Sequence, residues 1–250
     1  MVKAFAKRVD ENRNFSIDAY KQNQSAKRYE RYDFVYEKMK HCFERKPDFK
    51  FLDIGCGDGG FLAYLKQRHP AIQCFGLELS QELIRQAKRN RLLKDAVVIR
   101  GDLRRFISKE TFDVVLMSGV LSIFDDLDVP LRCLLKHLEP GGYGYVFGGF
   151  CSEDIDVLVR YRNNYLKNTT WESGLNMFSL NTVKKKLQPD VSKIHLFEFK
   201  LGRDLRPQKN PIRTYTLRTR EKGRIVINGA NIVREFYLIE FQKRRRGNFV

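Results

Sequence analysis

Tryptophan occurs once in the 250 residues, and no apolar run approaches the roughly 18 residues that a membrane-crossing helix needs. The first dozen residues are charged and lack the apolar centre of a secretory signal, so a cytoplasmic location is expected. The five cysteines, at positions 42, 56, 74, 133 and 151, are odd in number and scattered, with no Cys-x-x-Cys pair. That argues against a zinc site and for free thiols. Acidic side chains are scarce beside basic ones, 30 against 47, which leaves a net charge of +17. No internal repeat is visible.

The positive charge is unevenly placed. Residues 1–50 carry a balance of +5, residues 51–150 and 151–199 only +1 each, and residues 200–250 carry +10. A nearly neutral centre is therefore flanked by basic ends, which suit nucleic acid, anionic lipid or acidic molecules, or serve solubility alone. Hydrophobic content of 42% supports one large α/β domain.

The stretch that organises the rest is Phe51-Leu52-Asp53-Ile54-Gly55-Cys56-Gly57-Asp58-Gly59-Gly60. An apolar run breaks into glycines, and Phe61, Leu62 and Leu65 follow at helical spacing, which reads as strand, tight turn and helix. Glycines there let backbone and ligand approach closely, and the new helix offers free N–H groups. A second strand over residues 72–77 ends in Glu78, and a third over residues 97–100 ends in Gly101-Asp102. The distance from Gly57 to Glu78 suits a carboxylate that grips ribose hydroxyls. The glycines follow G-x-G-x-G rather than the G-x-G-x-x-G of a pyrophosphate binder, although Gly60 fills the sixth place. On these residues alone, a nicotinamide-binding domain or an inactive relative of such a fold is also compatible.

Further strands are expected over residues 112–118 and 143–147, and helices from Ser80 and over residues 127–138, the latter stopped by Pro140-Gly141-Gly142. Alternating strands and helices imply a doubly wound parallel sheet whose ligands lie at the strands' carboxyl ends. Asp53, Glu78, Asp102 and Ser118 all fall there. Beyond Gly149 the pattern predicts a helix over residues 152–165, a loop over 168–178, a helix over 179–187, and strands over 194–201, 214–219, 224–227 and 236–241. The last strand is expected to close the main sheet, with the hairpin before it inserted over the substrate side.

The LDIGCG phrase, the acidic strand ends and LEPGGYGYVF together resemble class I S-adenosylmethionine (SAM)-dependent methyltransferases over residues 48–149. The resemblance implies an α/β, Rossmann-like doubly wound fold with a mostly parallel seven-stranded sheet, an N-terminal helical lid and a C-terminal β-hairpin insertion. It implies a single domain: a lid segment over 1–46, a SAM-binding core over 47–150, and substrate-side helices and closing strands over 151–250. The cofactor implied is SAM. Gly55, Cys56 and Gly57 would pass under its methionyl part, with Asp53 holding the turn and the amino group. Glu78 would take the ribose hydroxyls, Leu79 and Leu103 would flank the adenine, and Asp102 would accept from its amino group. The carbonyls of Ser118 and Gly119 would face the methionyl amino group. Tyr20 and Tyr29 are candidate lid residues over the substrate.

Each position also has a plainer role: Asp102 can cap a following helix, and Cys56 can act as a small filler. His41, His69, His137 and His195 lie outside the motifs, and the pair Asp125-Asp126 either approaches the acceptor or caps the helix near Leu127. No catalytic base and no metal are assigned. The expected partner is a small or medium acceptor methylated on oxygen or nitrogen, a sugar or anionic metabolite by a loose likeness of the C-terminal strands to surface-polysaccharide methyltransferases. The alternative is RNA or protein gripped by the basic ends. The residues 112–118 strand lacks the Asn-Pro-Pro-Tyr or Asp-Pro-Pro-Tyr of adenine amino-group methylation and the Pro-Cys of cytosine chemistry.

Overall fold

The computed structural model describes residues 30–46, 48–162, 164, 171–207 and 212–245. Its first element, α1 (Glu30–Arg45), precedes β1 (Lys50–Ile54), α2 (Gly60–Arg68), β2 (Gln73–Glu78), α3 (Gln81–Arg89), β3 (Val97–Arg100) and β4 (Phe112–Ser118). Then follow α4 (Asp128–His137), β5 (Leu138–Phe150), β6 (Arg160–Tyr161), β7 (Glu172–Ser173) and α5 (Leu180–Leu187). The chain ends with β8 (Val191–Phe199), β9 (Tyr215–Thr219), β10 (Gly223–Ile227) and β11 (Glu235–Lys243).

Seven strands form the central sheet in the order β3-β2-β1-β4-β5-β11-β8. The first five are parallel, and β11 runs antiparallel to both neighbours. β1 is buried from Phe51 to Ile54, as suits a central parallel strand with both faces covered. Leu52, Ile54, Val115 and Met117 face α4 and α5, while Phe51, Val114, Leu116 and Tyr145 face α1 and α2. Ser80 caps α3 by accepting from Leu83 N, and Ser179 caps α5 by accepting from Thr182 N. Pro130 sits in the first turn of α4, where its missing N–H costs nothing.

Three expectations change. First, β5 begins at Leu138, directly after α4, so Pro140-Gly141-Gly142 lies inside the strand; Gly141 takes φ +83° and the register slips between Phe112 and Val114. Second, the described part of residues 152–165 is not helical. Val157 pairs with Met177, and β6 pairs with β7, so a two-residue period wins there. Asp154 and Asp156 point at the start of α5: they accept from Ser179 N and Oγ, Asn181 and Thr182. Those carboxylates serve another helix's N-terminus rather than a helix of their own. Third, the loop expected over residues 168–178 contains β7, which pairs with β6, whereas the last strand joins the main sheet as expected. β11 inserts between β5 and β8, and β8 is the edge strand. The β9–β10 hairpin is a separate two-stranded sheet. It leaves the carboxyl end of β8 and returns at the start of β11, which places it at the end where the parallel strands finish.

Candidate active site

The turn after β1 is held by its neighbours in sequence and space. Gly55 (φ +79°) donates to Leu77 O at 2.7 Å, and Cys56 N to the same carbonyl at 3.2 Å. Gly57 (φ +58°) donates to Glu78 Oε2 at 2.9 Å. Gly59 (φ +74°) is the residue before α2. A Cβ on Gly55 would stand 2.5 Å from the Val120 side chain. Left-handed backbone and close approach therefore both require glycine at 55. Cys56 packs against Gly76, where a Cβ would come within 2.6 Å of its sulfur, and burial raises its thiol pKa well above the ordinary range. It is a filler, not a nucleophile.

Glu78 also receives Leu79 N at 2.9 Å and Ser80 N at 2.8 Å on Oε1. Three backbone donors thus fix the carboxylate at the mouth of the turn. Asp53 is 3% exposed, and its Oδ1 has no hydrogen-bond partner among the described residues. Burial, and then the charge of Glu78, push its carboxyl up to about 7, against the pull of Arg31. A buried carboxylate lacking a donor is costly unless a ligand supplies one. The site thus offers acceptors for an ammonium and for hydroxyls, which fits SAM, whose methionyl end carries a cationic amino group.

The remaining expected residues are placed as follows. Asp102 is gripped by Arg104: Oδ1 accepts Arg104 N at 3.0 Å and Nε at 2.8 Å, and Oδ2 accepts Nη2. No helix follows it, so its capping serves a turn. Leu103 packs on the sheet's α4 side, and Leu79 is half-buried. Ser118 ends β4; Gly119 (φ +74°) donates to Phe147 O at 2.7 Å, and a Cβ there would meet open space. Its carbonyl accepts from Ser122 Oγ at 3.3 Å. Tyr20 and Tyr29 lie outside the described residues.

Sequence reading passed over Arg31 and Tyr32. A Cβ on Gly60 would stand 2.7 Å from the Tyr32 hydroxyl, so the first turn of α1 lies on the glycine turn. Tyr32 packs edge-on to Phe61 and Tyr64, with the Arg31 guanidinium 5.1 Å from its ring centre. The signal was present, since Tyr32 opens the aromatic face of α1.

The four histidines serve packing. His137 is fully buried: its Nδ1 is 2.8 Å from Cys133 O, and its Nε2 accepts from Ser108 N at 3.3 Å. Burial lowers its pKa. His69 stacks on Phe43 at 4.3 Å. His195 Nδ1 lies 3.0 Å from Glu240 Oε1 in the middle of β8, and His41 sits 3.9 Å from the same carboxylate. Asp125 binds Arg160 Nη2 at 2.6 Å and Asn176 Nδ2 at 3.2 Å, while Asp126 accepts Asp128 N as α4 begins. Among the described residues, no three metal-ligating side chains cluster, and no helix is long and apolar enough to cross a membrane.

A mostly parallel sheet with its acidic strand ends around a glycine turn defines a nucleoside-cofactor enzyme of the doubly wound class. A family model described as a methyltransferase domain matches residues 52–143. The malonyl-[acyl-carrier protein] O-methyltransferase of Bacillus anthracis is 24% identical over 188 residues, covering 70% of each chain. The trans-aconitate 2-methyltransferase of Azoarcus sp. (strain BH72) is 32% identical over 91 residues, 36% of this chain and 35% of that one. SAM-bound CalS10, an amino pentose methyltransferase from Micromonospora echinaspora, superposes with a TM-score of 0.54 at 16% identity, covering 91% of this chain and 96% of that one. Residues 52–143 thus match a methyltransferase domain, and the likeness supports a SAM-dependent methyltransferase with SAM as its cofactor.

Proposed function

We propose that this enzyme transfers a methyl group to an oxygen or nitrogen atom of a small or medium acceptor, an anionic metabolite or a sugar. The observation that carries this is the pair of carboxylates, Asp53 and Glu78, flanking a left-handed glycine turn at the carboxyl end of the sheet. SAM supplies a methyl group already activated on a sulfonium, so positioning the acceptor accounts for much of the rate. Asp53 holds the methionyl ammonium. Glu78 takes the ribose hydroxyls on the lone pairs its three backbone donors leave. Gly55, Cys56 and Gly57 form the floor, with Ser118 and Gly119 opposite. Leu79 and Leu103 flank the adenine, and Asp102 meets its amino group once Arg104 shares or yields its hold. Tyr32 and Arg31 close one side of the turn and keep water from Asp53.

A small anionic acceptor is supported by the relatives that methylate a malonyl group and trans-aconitate. The alternative reading, RNA or protein held by basic surface, has one built feature. A cleft of about 420 Å³ is lined by Lys184, Gln188, Val191, Ser192, Lys193, Ile194 and Arg244. It lies where β8 starts, at the opposite end of the sheet from the glycine turn, so a chain gripped there would not reach the methyl group. The test is mass spectrometry of co-purified ligand, calorimetry with SAM, and a screen of carboxylate, sugar and RNA acceptors. Turnover of RNA and of no small acceptor would reverse the ranking.

A further inference from the structure

The hairpin base gathers hydrogen-bond donors with nothing to receive them. Arg234, the residue before β11, donates its backbone N–H to Val226 O at 2.8 Å, which ties the start of β11 to β10. Its guanidinium lies over Gly149, where a Cβ would stand 2.6 Å from Nη2 and 3.0 Å from Nε. It also stacks on Phe236, 5.3 Å from the ring centre. The residue is half-buried, but its Nε is buried and has no hydrogen-bond partner among the described residues, and burial lowers its pKa to about 10. Asn228 is fully buried. Its Oδ1 accepts Ala230 N at 3.0 Å and Ile232 N at 3.2 Å, which fixes which end of the amide is oxygen. Its Nδ2 is therefore a donor, and it too is buried without a partner.

A guanidinium N–H buried without an acceptor is costly, and so is a buried amide donor. Stacking on Phe236 offsets part of that cost. Both groups ask for the same thing: an acceptor, and for the guanidinium a negative one. Sheet geometry says where. β11 is two strands from β4 in the sheet order, so Arg234 lies roughly 10 Å to the side of β4 and, by register, about 13 Å beyond Ser118, with its guanidinium back over Gly149. That is the span of a metabolite, not of a second domain.

We propose that the base of the β9–β10 hairpin is the acceptor's anion subsite, where Arg234 and Asn228 grip a carboxylate or phosphate of the molecule to be methylated. This rests on reading the carboxyl end of the sheet as the methyl-transfer site. The hairpin is then more than a cover: the bond from Arg234 N to Val226 O ties the start of β11 to the strand that ends one residue before Asn228. A neutral sugar leaves both donors unsatisfied and is disfavoured against an anionic acceptor.

The experiment uses the whole chain with S-adenosylhomocysteine (SAH) bound, titrated with malonate, with inorganic phosphate and with neutral malonamide. Malonate or phosphate should saturate the wild type, and malonamide should not; which of the two anions binds more tightly assigns the anion. R234M should weaken anion binding at least tenfold, R234K less, and N228D strongly, while SAH affinity stays within about twofold in all three. In the absence of any anion, R234M should unfold at a higher temperature than the wild type, because it removes a buried N–H that lacks an acceptor. A structural arginine would show the opposite. Equal anion binding by R234M and wild type, binding of neither anion by a wild type that holds SAH, or a lowered unfolding temperature for R234M would overturn the proposal. Failure of the wild type to bind SAH would strike the methyl-transfer reading instead.

Discussion

The two ends of the central sheet treat buried polarity in opposite ways. At the amino end, polar groups find partners. Lys50 N donates to Asp113 Oδ2 at 2.8 Å, and Lys46 Nζ pairs with the same carboxylate at 3.1 Å. Lys243 Nζ donates to Leu135 O at 2.7 Å and Leu138 O at 2.6 Å, closing the end of α4, and Gln242 Nε2 donates to Gly141 O at 2.9 Å. At the carboxyl end, Asp53 Oδ1, Asn228 Nδ2 and Arg234 Nε are buried without partners among the described residues. The difference teaches where a ligand belongs. Folding satisfies what it can, and groups left wanting on one side of a well-packed sheet are kept for binding at the expense of stability. The signs differ within that end as well: an acceptor, Asp53, near the glycine turn, and donors, Arg234 and Asn228, near the hairpin. A cation on one side and an anion on the other would satisfy both.

The sharpest way to break the contrast is Gly57→Val. Position 57 has φ +58°, and its N–H holds Glu78. A β-branched residue there costs on the order of 1–3 kcal/mol in strain and fills the approach to the cofactor. SAM binding should fall beyond calorimetric detection while circular dichroism shows a folded protein. Normal SAM binding would mean that the glycine only turns the chain. Next in size is Glu78→Ala, which should weaken SAM by roughly 1–3 kcal/mol, the scale for hydrogen bonds to a charged group. The matching change at the other end, Lys46→Ala, removes an exposed pair worth about 0–1 kcal/mol and should leave SAM affinity unchanged. Equal losses from both would erase the distinction between the ends.

Much of the carboxyl end near β1 was legible because short-range pattern dictates it. An apolar strand, glycines and an amphipathic helix occupy residues 50–68, and the acidic residues end their strands by period alone. The hairpin base was not legible. Arg234 lies in a basic stretch like any other, and nothing local says that it will be buried against Gly149, 85 positions earlier. Residues 152–165 were expected to be helical, and Asp154 and Asp156 would suit a helix start. They do cap a helix, but it is α5, more than twenty residues on. Arg104's hold on Asp102 was in principle readable at i,i+2, but the acidic strand end drew the reading toward a ligand.

Asp53 gives a smaller effect with a definite sign. Its carboxyl titrates near 7 in the folded protein and near 3.8 unfolded. Between those values the unfolded chain loses a proton that the folded chain keeps. Stability of the ligand-free protein should therefore fall as pH rises from about 4 to about 7, by at most about 1.4 kcal/mol per unit. SAM's ammonium favours the ionised form, so SAM binding should strengthen as pH rises through about 7 and release a proton. Asp53→Asn should flatten that part of the stability profile and weaken SAM about tenfold at pH 8. Thermal unfolding against pH, with calorimetry in two buffers of different ionisation enthalpy, reads both. An unchanged slope in Asp53→Asn would place the titration elsewhere.

The smallest expected effect on the methyl-transfer site comes from the basic cleft at the amino end. Lys184, Lys193 and Arg244 line it, and Arg244 also donates to Gln188 O at 3.2 Å. These are surface cations, so nucleic acid should bind them weakly and without sequence preference. Its affinity should fall with salt at a log–log slope of about −0.7 per contacted phosphate on a single strand. Reversing Lys184 and Lys193 to Glu should abolish that binding while SAM affinity and turnover of an anionic acceptor stay as they were, because the two sites lie at opposite ends of the sheet. The reversal spares Lys243, whose two bonds to carbonyls at the end of α4 would confound a deletion from 243 onward with lost stability. Tight, sequence-selective RNA binding at physiological salt, lost together with turnover in the reversed variant, would couple the two ends and return RNA to the front as the acceptor.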